Sequence, residues 1–147
     1  MTIPASLGRA ALGLHRWIYV ASRGRAGHLL LGVPTLLLWT TGRRSGARRV
    51  AALIYLADDD RFVVVASNGG ATAPPAWLRN LEADPGAEVW VGRSRLAVSA
   101  TVVRRGEATH AELWRRVNQA NRGRYDRYQA RTARPIPLVV LTPAPRG

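Results

Sequence analysis

The sequence contains no cysteine and no lysine, and only one methionine and one phenylalanine. Without cysteine there is no disulfide framework, no thiolate zinc or iron–sulfur site and no cysteine nucleophile. The three histidines, His15, His28 and His110, lie far apart and lack the spacing of a metal-binding helix, so no metal site is expected. No Ser–His–Asp set or working pair of carboxylates stands out, and Asp58, Asp59 and Asp60 read as a solvated hairpin tip. Hydrolytic chemistry lacks its usual residues. Long hydrophobic runs are also missing, because Arg, Gly or Pro interrupts every apolar stretch before the roughly 18 residues that a membrane span needs. A soluble protein without a cleaved leader is expected.

All 22 basic residues are arginine, set against nine acids, for a formal net charge of +13. Absence of lysine beside abundant Ala and Gly is a mark of GC-rich coding before it is a mark of function. Self-repulsion of this size nevertheless favours an anionic partner. Nucleic acid is not expected, since the arginines are scattered and no DNA- or RNA-binding module is present. With 147 residues, 47% hydrophobic and 21% charged, the chain has the size and balance of one globular domain.

Residues 1–32 read as a helix and linker. From Pro4 to about Arg25, Leu7, Ala11, Leu14, Ile18 and Ala21 recur at helical spacing, with Arg9, Arg16 and Arg23 on another face. Such a basic amphipathic helix packs on its own domain or lies on an anionic membrane surface. From residue 33 to 147 the pattern is β-rich. Thr35–Thr41, Arg48–Leu56, Arg61–Ser67, Ala87–Gly92, Arg95–Arg104 and Ile136–Thr142 predict six strands, three of them in a tight antiparallel meander. Helices are predicted at Ala76–Ala83 behind Pro74 and Pro75, after a Thr109–Glu112 capping box, and at Tyr125–Arg131. Six strands suit a small, nearly closed antiparallel barrel with flanking helices, a mainly β (α+β) fold.

Four groups of residues carry chemistry. Arg43, Arg44, Arg48 and Arg49 cluster around a GRRSG turn, where Gly42 and Gly46 admit close backbone approach and Ser45 adds a hydroxyl. Together they suit phosphate or carboxylates, although GRRSG taken alone reads first as a plain turn and lacks a P-loop ending. Ser67, Asn68, Gly69, Gly70 and Ala71 leave an apolar strand through paired glycines, as a second anion-binding wall or a simple loop. Trp77 and Asn80 share a helix face, Trp77 either covering a flat ring or filling the core. Tyr125 and Tyr128, three apart, either line an apolar cleft and deliver a proton or pack the end of the barrel.

In order, TTGRRSGARRV, YLADDDRFVVVASNGGA, PAWLRNLEADP and YDRYQARTARPIPLVVL resemble the deazaflavin (F420)-dependent nitroreductase family, split β-barrel oxidoreductases of actinobacteria. The likeness runs from about Val33 to Pro143. It implies coenzyme F420, a deazaflavin with a phosphate and an oligoglutamate tail. By position, Arg43, Arg44, Ser45, Gly46 and Arg49 would hold the tail, and Ser67, Asn68, Gly69, Gly70 and Ala71 would meet the phosphate and ring side. Trp77 and Asn80 would close on the cofactor, and Tyr125 and Tyr128 would flank the acceptor. The implied reaction is hydride transfer to a small hydrophobic quinone, enone or nitroaromatic, in the cytoplasm, with the leading helix at the membrane's inner face and a homodimer as further expectations. Arg122 and Arg131 stand where the family can carry aromatics, which makes the acceptor cleft more cationic. The alternatives are a split-barrel enzyme binding flavin mononucleotide (FMN), and a non-catalytic carrier of F420 or lipid.

Overall fold

A computed structural model describes residues 33–145. The expected leading helix, its membrane contact, His15 and His28 all lie outside the described residues. Seven strands form one antiparallel sheet: β1 Thr35–Thr41, β2 Arg48–Ile54, β3 Leu56–Asp58, β4 Arg61–Val65, β5 Gly86–Val91, β6 Ser94–Val103 and β7 Leu138–Pro143. Their order is β2-β1-β5-β6-β7-β4-β3, so the ends of the sheet are strands adjacent in sequence. The expected strand from Arg48 to Leu56 is therefore two. Its first half pairs with β1 and its second half with β4, while between them the Tyr55 N–H donates to the Pro34 carbonyl at 3.2 Å, one step beyond the β1 pairing. One continuous stretch of chain thus spans both edges and curls the sheet into a half-barrel, seven-stranded where six were expected.

Period-two alternation explains the core, because successive strand residues face opposite sides. Leu36, Leu38, Val64, Val89, Val98, Val139 and Leu141 face inward together, joined by Trp77, Leu78 and Leu81 from helix α1 (Ala76–Ala83). Val63, Val65, Leu138 and Val140 face outward, where Leu113, Val117 and Tyr125 cover them. Strands β4 and β7 are apolar at almost every position because both of their faces are covered.

Helix α2 (Ala108–Ala120) buries His110, Leu113, Val117 and Asn118, the stripe of an amphipathic helix. The expected Thr109–Glu112 capping box does not form: Glu107 takes the N-cap position, and its carboxylate accepts the Arg104 N–H at 2.9 Å. Helix α3 (Arg124–Gln129) follows Gly123. Asn118 fastens the two helices, its carbonyl accepting the Gly123 N–H at 2.8 Å and its side-chain oxygen the Asp126 N–H at 2.9 Å. The Asp58–Asp60 tip is only partly solvated, since Asp58 pairs with Arg61 and with Arg116 of α2.

Candidate functional site: an arginine-lined cavity and a glycine loop

The GRRSG turn follows β1 because Gly46, at φ 73°, reverses the chain where an L side chain would be strained. Its N–H donates to the Gly42 carbonyl at 2.8 Å, and the Gly42 N–H donates to that of Ala47 at 2.7 Å. Asn80, buried on α1, locks the turn to the helix. Its side-chain oxygen accepts the Arg43 N–H and a guanidinium N–H, both at 3.2 Å, while its amide donates to Thr40 Oγ1 at 3.1 Å. The result is a cavity of about 420 Å³ whose wall includes Arg43, Arg44, Ser45, Arg49, Trp77 and Asn80. No acidic residue is in that wall. Among the described residues Arg43, Arg44 and Arg49 form no ion pair, whereas Arg48 is drawn away to Glu88 at 3.5 Å and over the Trp39 ring. Three guanidinium groups without a protein carboxylate are suited to a polyanion.

The glycine loop is built differently. Strand β4 ends at Val65, earlier than expected, and Asn68–Gly70 makes one 3-10 turn. Arg134 ties this loop down, donating to the carbonyls of Ala66 at 3.3 Å, Ser67 at 3.0 Å and Ala71 at 3.2 Å. Gly70, at φ 83°, presses against α3: a Cβ there would sit 2.5 Å from the Tyr128 carbonyl oxygen. Arg131 lies over the Tyr128 ring, 5.5 Å from its centroid, and reaches the Gly69 carbonyl at 3.4 Å. Tyr125 meets Tyr128 edge-on with centroids 6.1 Å apart. Burial pushes the Tyr125 hydroxyl up to about 12, so it stays protonated at neutral pH. Tyr125 is 5% exposed and belongs to the outer core, whereas Tyr128 is half-buried.

The turn residues, Trp77 and Asn80 therefore meet in one cavity, with Gly46 shaping the turn, while Ser67–Ala71 gather with Tyr128 and Arg131 beside α3. Segment 71–76 runs from one region to the other. Trp77 is both core and cavity wall. Two residues escaped the sequence reading. Thr40 could have been found, since alternation puts it on the face of Leu36 and Leu38. Arg134 could not, because its carbonyl partners lie more than sixty positions away.

Comparison with known proteins gives a consistent picture. A family model described as F420H(2)-dependent quinone reductase matches residues 12–143. An F420H(2)-dependent quinone reductase of Mycobacterium tuberculosis is 44% identical over 137 residues, covering 92% of each chain. A solved F420-H2 dependent reductase is 31% identical, with a TM-score of 0.65 over 74% of this chain and 93% of its own. A solved domain-swapped dimer is 26% identical, with a TM-score of 0.67 over 91% of this chain and 98% of its own.

Proposed function

The chain belongs to the F420H(2)-dependent quinone reductase family, and from that premise we propose which of its residues serve the cofactor and the quinone. It is an F420-dependent oxidoreductase that reduces quinones. The residues present fit such a cofactor, and the observation that carries the assignment is the cavity beside the GRRSG turn, with guanidinium groups that no carboxylate among the described residues neutralises. Arg43, Arg44, Ser45, Gly46 and Arg49 hold the anionic tail. Trp77 and Asn80 form the α1 side of the same cavity, Asn80 by fixing Arg43. Backbone groups of Ser67, Asn68, Gly69, Gly70 and Ala71 meet the phosphate and ring side. Charge-assisted hydrogen bonds contribute roughly 1.5–3 kcal/mol each when well formed, so two or three anchor the tail even after solvent screening.

When bound, the reduced deazaflavin supplies the hydride that the quinone accepts. The protein's part is position and a proton. Tyr128, the more accessible tyrosine, is the proposed donor at its Oη, and Tyr125 is the partner whose edge-on contact holds it. Arg131, over the Tyr128 ring, makes this end of the cleft cationic. A small hydrophobic quinone and a homodimer are part of the same proposal, the latter because a solved relative is a domain-swapped dimer.

The test is a titration of the purified full chain with F420 and with FMN, followed by tryptophan fluorescence, and then oxidation of the reduced cofactor with menadione. Tighter binding of F420 and turnover with the quinone are expected. Preference for FMN, or silence across several quinones, would overturn the reading in favour of a flavin enzyme or a carrier.

A further inference from the structure

A second groove lies on the other side of α1, joined to the glycine loop through Arg134. Along the helix, Ala76, Trp77 and Asn80 turn toward the first cavity and Leu78 and Arg79 away from it, as about 100° of rotation per residue requires. The second groove encloses about 320 Å³, and four arginines line it: Arg79, Arg104, Arg105 and Arg134. Leu78 and three prolines complete the wall, and none of the lining residues is acidic. The neighbouring Glu82 pairs with Arg79 at 3.1 Å and with Arg104 at 2.6 Å, so a single carboxylate is shared between two cations. Arg105 is exposed and makes no ion pair among the described residues. Arg134 has a buried Nε with no hydrogen-bond partner, and its guanidinium is destabilised first by burial and then by the charge of Arg79.

Arg79 and Arg104 share one carboxylate, Arg105 adds an exposed charge, and Arg134, whose terminal nitrogens bond the loop carbonyls, adds a fourth behind them; a multiply charged anion would relieve this arrangement. We propose that this groove is a second anion site, which takes a phosphate group. A dianion with three acceptor oxygens suits several guanidinium groups better than a lone carboxylate does. The volume exceeds that of a small ion, and Leu78 and the prolines offer an apolar wall, so the phosphate is carried on an apolar substituent or enters as the free ion. An occupant would share Arg134 with the carbonyls of the Ser67–Ala71 loop. The site stands apart from the arginine turn and meets the proposed cofactor-binding loop through Arg134.

Calorimetric titration of the full chain with a soluble dihexanoyl phosphatidate and, separately, with inorganic phosphate tests the site. Saturable binding is expected that survives Arg43→Ala with Arg49→Ala but weakens at least tenfold in Arg79→Gln with Arg105→Gln. The Arg79/Arg105 variant should keep its Tm and its F420 affinity, because both side chains are exposed and outside the first cavity. Tighter binding of the phosphatidate would assign a phosphate ester, and equal binding the free ion; both support the site. Binding lost in the Arg43/Arg49 variant, unchanged in the Arg79/Arg105 variant, or absent for both ligands would overturn it.

Discussion

Arg43, Arg44 and Arg49 stand around a cavity with no carboxylate in its lining, whereas Arg134 aims its guanidinium at three backbone carbonyls of the glycine loop. The same side chain serves two ends. At the turn its charge is left available to a ligand; beneath the loop it replaces the hydrogen bonds that an irregular backbone would otherwise lack. The glycines differ in the same way. A Cβ on Gly46 would meet nothing within 4 Å, while one on Gly70 would strike the backbone of α3. The turn leaves space and charge open, whereas the loop, which positions a backbone, fills both.

The largest effect that separates the two regions is expected at these glycines. Gly70→Ala should cost about 2–4 kcal/mol, combining a strained positive φ with a backbone clash, and should cripple turnover. Gly46→Ala should cost only about 1 kcal/mol, from φ alone. Urea unfolding measures both, and equal losses would erase the contrast.

Arg43→Ala with Arg49→Ala should weaken F420 binding at least tenfold, or roughly 1.4 kcal/mol, with little change in Tm. Unaltered affinity would remove the tail from this cavity. Tyr128→Phe should lower the rate of quinone reduction by several-fold while cofactor affinity holds, as expected for loss of a proton donor. A wild-type rate would leave that hydroxyl a packing group only.

The smallest expected effect lies away from both regions. Hydrogen bonding from Arg116, with Arg61 assisting, holds the Asp58 carboxyl below its ordinary value of 3.8. A carboxylate depressed in the folded state stabilises above the unfolded value and loses that contribution as pH falls below it. Asp58→Asn should therefore flatten the acid limb of a stability profile below about pH 4 and leave neutral turnover alone. A steep acid limb in the variant would assign acid sensitivity to other carboxylates.

Much of the candidate site's local geometry was legible in the sequence because its turns and spacings lie close along the chain. The GRRSG turn, the Asn-Gly-Gly exit and the Trp77–Asn80 spacing are local patterns, and local conformational rules read them. The break at Tyr55 was not legible, since Arg48–Leu56 alternates as one strand and only its two separate partners, β1 and β4, divide it. The capping box failed for a local reason instead: Glu107, two positions before Thr109, takes the N-cap place and accepts the Arg104 N–H, so Thr109 lies inside the helix. Asp58 looked solvated because Arg116, its partner, lies 58 positions away.

By itself the sequence determined the β-rich region from residue 33 onward with its helices, the cationic character, and the short segments whose order carries the family resemblance. These follow from periodicity, turn chemistry and composition, which act between near neighbours. The tertiary structure alone decided that β2 and β3 lie at opposite ends of one sheet, that Arg134 supports the glycine loop while Arg43 faces a cavity, and that Tyr125 is buried and Tyr128 is not. Those outcomes depend on which distant groups exclude water from which, and no local pattern encodes that.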